Sequence, residues 1–133
     1  MKLQYLIDQI APELPACAEY PVFVLEDISK DKKTSEFQEY AVLDIEVEEK
    51  DPEINLITNQ NGNTESKVLT LSTLFSRLNS LMPQHREHLI FSCSAKTYFD
   101  KTHWLKLDVP LIAVGWDHQG QHFGLVQQKS RKK

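Results

Sequence analysis

The chain is short of several things, and each shortage closes off a class of protein. It holds only 2 cysteines in 133 residues, 76 positions apart, and neither belongs to a C-x-x-C pair. That is no disulfide framework of the kind that staples small secreted domains. A Cys17–Cys93 bridge stays open to the spacing, but two reduced thiols are the expectation. Only 4 glycines and 6 prolines occur, without repeats or low-complexity stretches, which excludes fibrous and linker-like chains. No apolar run approaches the ~20 residues that span a bilayer. Leu14-Pro15-Ala16-Cys17 has the form of a lipoprotein cleavage box. Gln4, Asp8, Gln9 and Glu13 interrupt the apolar segment such a signal requires, so a cytoplasmic protein is expected.

Positive charge is also scarce over most of the chain. The net charge is −4, and Lys129, Arg131, Lys132 and Lys133 alone carry +4, which leaves −8 on residues 1–128. Of the 19 acidic residues, 11 lie between Glu26 and Glu53. Nucleic-acid binding needs clustered cations for phosphate contacts, and this body repels phosphate. The basic run at 129–133 reads as a disordered, solubilising tail behind one α+β domain over residues 1–128.

Recognised reaction motifs are missing too. The sequence has no G-x-S-x-G, no Walker loop and no dinucleotide fingerprint, and nothing in it implies a cofactor. His85 and His88, and His118 and His122, are close pairs, but a metal needs three or four convergent ligands. No metal site is expected.

What the chain does have is periodicity. Leu3, Leu6, Ile7 and Ile10 put one apolar stripe on a short N-terminal helix that Pro12 and Pro15 stop. Leu71, Leu74, Phe75, Leu78 and Leu81 do the same for a main amphipathic helix at about 71–82. Thr70 or Ser72 is its N-cap, and Met82-Pro83 closes it. Strands are expected at Tyr20–Ile28, Glu36–Glu49, Ile54–Asn59 and His88–Ser94. The polar turn Ser29–Ser35 separates the first two, Lys50-Asp51-Pro52 breaks the run before the third, and the turn Asn59–Thr64 follows it, with Lys67–Thr70 a further strand candidate. Along Glu36–Glu49 strict alternation assigns Phe37, Ala41, Leu43, Ile45 and Val47 to one face. Gln38, Asp44, Glu46 and Glu48 take the other, with Tyr40 and Val42. The expected fold is α+β: a mostly antiparallel, strongly curved or twisted sheet of about 5–7 strands with both helices packed on it.

The most apolar stretch, Pro110–Val126, reads as a β-hairpin around Gln119-Gly120. Two registers compete. A tight two-residue turn sets Trp116 against Phe123, Asp117 against His122 and Gly115 against Gly124, with the apolar residues on one face. A type I turn with a glycine bulge mixes the faces. Burial outweighs turn preference, so the tight turn is expected.

Three candidate surfaces follow. Asp44, Glu46 and Glu48 form an acidic row suited to a basic protein partner. Tyr98, Phe99, Trp104, Trp116 and Phe123 are expected mostly in the core; any that lie exposed with Leu105 and Leu107 form an aromatic patch for a ligand or a second copy of the chain. Trp116, Asp117 and His122 surround the bare backbone of the glycine pair. Gly120–Val126 (GQHFGLV) resembles the strand on which papain-like bacterial peptidases present their histidine, which makes Cys17, His122 and Asp117 catalytic candidates. The departure is the cysteine: such folds place it at the start of a long helix, whereas Cys17 follows a proline break. The reading is therefore a small cytoplasmic, non-enzymatic accessory or immunity-type binding protein of a bacterium or mobile element. Homodimerisation through a strand near a sheet edge is open to it. The alternative is a small-ligand pocket or Cys/His hydrolase site at the C-terminal hairpin.

Overall fold

The computed structural model describes residues 1–29, 36–48, 53–58, 68–94 and 109–128. The tail at 129–133, the turns at 30–35 and 59–67, and Tyr98, Phe99, Trp104, Leu105 and Leu107 lie outside the described residues. Six strands run in the order β1 (Val22–Asp27), β2 (Phe37–Glu48), β3 (Glu53–Thr58), β4 (Leu89–Ser94), β5 (Val109–Asp117) and β6 (His122–Gln127). Helix α1 (Leu3–Ile10) precedes them, and α2 (Leu71–Asn79) lies between β3 and β4. The fold is α+β, with a mixed sheet.

The sheet closes on itself. Neighbours pair in chain order and β6 returns to β1, giving a six-stranded barrel. Four pairings are antiparallel; β3–β4 and β1–β6 are parallel. A parallel neighbour needs a long crossover, and the segment that carries α2 supplies it between β3 and β4. Among the described residues, Phe91–Pro110 and Ser92–Val109 pair β4 with β5. Residues 1–3 take up the space beside them. The Ile90 amide donates to the Met1 carbonyl at 2.8 Å, and the Met1 amino group donates to the Leu111 carbonyl at 3.0 Å. Every described strand is paired on both sides, so among the described residues no strand edge is left open.

One face of each strand joins both helices in a single core. Leu3, Leu6, Ile7 and Ile10 of α1 and Leu71, Leu74 and Leu78 of α2 are buried with Val22, Val24, Val42, Ile54, Leu56, Ile90, Leu111, Phe123 and Leu125. These are the helix faces that the i, i+3, i+4 spacing marks. Thr70 caps α2 by accepting from the Thr73 amide at 3.3 Å. The helix stops at Asn79, short of 82. Leu81 and Met82 donate instead to the carbonyls of Leu78 and Asn79, three residues back, and so tighten the last turn beyond an α-helix.

Strand β2 departs from simple alternation. Its pairing with β3 slips between Val42 and Asp44, where Leu43 is the extra residue of a bulge. Before the bulge the even-numbered side chains face the core, and after it the odd-numbered ones do. Val42 is therefore fully buried, Ile45 and Val47 pack on the core, and Phe37 points outward at 46% exposure. The expectation that Phe37 shares a buried face with Ile45 fails because one inserted residue flips every side chain before it.

Candidate functional site

The hairpin of β5 and β6 pairs Val114 with Leu125, Gly115 with Gly124, Trp116 with Phe123 and Asp117 with His122. This is the register that burial favours. Trp116 packs on Phe123 on the core side, with ring centroids 4.6 Å apart, and both glycines fall on the outer side. The turn itself is wider than two residues. It runs over 118–121, with Gln121 in the left-handed region (φ 56°). The Asp117 carboxylate holds it by accepting from the Gly120 amide at 2.9 Å. A Cβ on residue 120 would sit 2.5 Å from that carboxylate, so glycine lets the aspartate close the loop.

Closure of the barrel completes a groove on the outer side. Strand β1 lies beside β6 with Phe23 opposite Gly124, and Glu39 of β2 lies opposite Leu25. Leu25 leans over Gly124, where a Cβ would come within 2.7 Å of its methyl group. At Gly115, by contrast, a Cβ would meet nothing within 4 Å. The space above Gly115 is the groove, about 170 Å³, with Phe23, Leu25 and the glycine backbones as walls and floor. Its polar rim is Glu39, Asp117 and His122. The His122 ring rests on Phe23 at 4.9 Å, and its Nδ1 is 4.0 Å from the Glu39 carboxylate, an ion pair when the imidazole is protonated. Among the described residues no serine, threonine or cysteine lines the groove. The arrangement can hold an apolar group and a charge.

Cys17 does not meet His122. It is buried on the core side, whereas His122 faces outward. The partner of Cys17 is Tyr20, whose hydroxyl lies 3.3 Å from His118 Nδ1. The Tyr20 phenol is pushed up, first by desolvation and then by the hydrogen bond with the Cys17 thiol. His118 in turn stacks flat on Trp116 at 5.9 Å. A cysteine, a tyrosine and a histidine thus line up across the barrel end, with His118 in place of the expected His122. The parallel β1–β6 pairing makes this meeting, and nothing local in the sequence announces it.

A second cluster was not expected at all. On the core side, Tyr40 donates to Glu26 at 2.8 Å, Gln127 donates to the other Glu26 oxygen at 3.2 Å, and Ser92 donates to Gln127 at 3.0 Å. Ser92 and Gln127 are buried, and the chain of bonds satisfies them. The signal was present: Gln127 continues the buried set Phe123, Leu125 and so breaks an apolar period.

Of the acidic row, Asp44 is held by Arg77 of α2 at 2.7 Å. Burial works against ionisation of Asp44, but the Ile45 amide and the Arg77 guanidinium outweigh it and lower its pKa. Glu46 follows Asp44 on the outer face, and the Glu48 side chain lies outside the described residues. The rings of His85 and His88 meet edge to face at 4.6 Å. Among the described residues no group of three or more His, Cys, Asp or Glu could hold a metal ion, and no helix is long and apolar enough to cross a membrane. No family model, curated protein or solved structure matches the chain.

Proposed function

We propose that this chain is a small non-enzymatic binding protein that takes a segment of a protein partner into the outer groove above Gly115. The observation that carries the reading is the open space at Gly115 beside the apolar walls of Phe23 and Leu25. Glycine inside a strand weakens it, so an unfilled glycine at the floor of a groove suits close approach by another chain. Size favours a side chain over a small molecule. Pockets for drug-sized ligands run to roughly 300–1,000 Å³, and this one is about 170 Å³.

The acidic row is the weaker surface, because Arg77 already engages Asp44. Two buried thiols outside any disulfide suit a reducing compartment, and we place the protein in the cytoplasm. Capture from the native host with mass-spectrometric readout tests the reading. A partner held by the wild type should be lost with Gly115→Val, whose Cβ enters open space at the groove floor. Retention of the partner by that variant refutes the groove. Loss only on changing Asp44, Glu46 and Glu48 to lysine would give the docking role to the acidic row instead.

A further inference from the structure

We infer that the groove is selective for a cationic side chain, so that a lysine or arginine of the partner is the residue it reads. This rests on the groove being the binding surface. Two of the three polar groups on the rim are carboxylates, Glu39 and Asp117, and no lysine or arginine lines the groove among the described residues. Asp117 spends its Oδ1 on the Gly120 amide at 2.9 Å, and its Oδ2 takes no part in that bond. Glu39 meets His122 only at 4.0 Å, too long for a hydrogen bond, and its side chain is 51% exposed. A guanidinium or ammonium group at the rim therefore finds an available carboxylate without displacing a bonded partner.

The floor fits the rest of such a side chain. Lysine and arginine carry an aliphatic stem that gains from lying on apolar surface while the charged end stays at the rim. Phe23, Leu25 and the bare backbone at Gly115 offer that surface. A glutamate or aspartate in the same position would set like charges together at the rim, which selects against acidic segments as firmly as it selects for basic ones.

The test uses the full chain labelled with ¹⁵N and capped tripeptides with lysine, arginine, norleucine or glutamate between two alanines. Amide shifts of Gly115, Gly124 and His122 report binding in the millimolar range. The lysine and arginine probes should move these amides, norleucine less and glutamate not at all. Asp117→Asn keeps an oxygen for the Gly120 amide and Glu39→Gln keeps the shape, so each should weaken the basic probes about two- to fivefold and leave norleucine unchanged. Equal binding of norleucine and lysine overturns the selectivity while the groove remains a binding surface. Basic probes that leave Gly115 and Gly124 unmoved overturn it too. The reading beneath it is judged separately, by partner capture with Gly115→Val.

Discussion

Replacing Tyr40 by phenylalanine probes the hydrogen-bond chain inside the barrel. The ring stays, so the burial it provides is kept, and only the hydroxyl is removed. That hydroxyl donates to Glu26 at 2.8 Å, and a bond to a charged acceptor is worth about 1.5–3 kcal/mol. Glu26 and Tyr40 are only half-buried, so water can replace part of what is lost, and the lower end applies. Tyr40→Phe should cost about 1.5 kcal/mol at neutral pH, a fall in Tm of roughly 5 °C for a domain of this size. The pH dependence is the sharper readout. Burial, and then the bond to Glu26 and its charge, push the Tyr40 phenol up from 10.0 to about 12. A raised acid favours its protonated form in the folded state. The associated stability is therefore whole below pH 10, drains away between 10 and 12, and is gone above. A rise from 10.0 to about 12 corresponds to at most about 3 kcal/mol, reduced here by solvent screening of a partly exposed ring. Urea midpoints of the wild type and Tyr40→Phe should converge as pH rises from 10 toward 12. Absorbance at the tyrosinate band should show that the phenol missing from the variant is one that ionises late. Equal stability at pH 7, or a missing phenol that titrates with the ordinary ones, refutes the chain as drawn.

Three further outcomes are expected. Arg77→Ala should cost under about 1 kcal/mol, since the pair with Asp44 is solvent-exposed. Because the Asp44 pKa is lowered in the folded state, that difference in urea midpoint should be present at neutral pH and vanish as pH falls through the folded value. Gly124→Ala pushes against the Leu25 methyl group at 2.7 Å and should destabilise by about 1–2 kcal/mol. Adding Leu25→Ala should relieve the clash, and Gly115→Ala, which meets open space, should be neutral or stabilising in the same thermal melts. Cys17 and Cys93, at 3% and 7% exposure, should react slowly with a thiol reagent in the native protein and at once in denaturant. Fast reaction of both in the native state would contradict their burial.

What could be read in the sequence was whatever repeats over a short window. The stripes of α1 and α2, the Thr70 cap and the hairpin register each depend on residues within about ten positions of one another, where periodicity is a direct record of burial. What could not be read depends on pairing across the chain. Strand β1 lies parallel to β6 although about a hundred residues separate them, and no local pattern records such a contact. The bulge at Leu43 is a single inserted residue in an otherwise regular alternation. Its flanks, Val42 and Asp44, look like members of one face until the register with β3 is known.

The candidate site divides along the same line, and the division carries its mechanism. Asp117, His122 and the facing glycines come from one hairpin, so local pattern places them together. Phe23, Leu25 and Glu39 come from β1 and β2, and only barrel closure brings them across. Without that half, Gly115 and Gly124 form a bare patch with two polar neighbours and no walls. With it, Leu25 covers Gly124 and leaves Gly115 open, which turns a flat strip of backbone into a groove one side chain wide. The same closure seats Val22 on Phe123 and Val24 on Leu125 in the core. Core packing on the inner face thus sets the width of the groove on the outer face. A core substitution at Val24 or Leu125 that loosens the β1–β6 pairing should therefore shift the amide signals of Gly115 and Gly124 on the outer face before it unfolds the barrel.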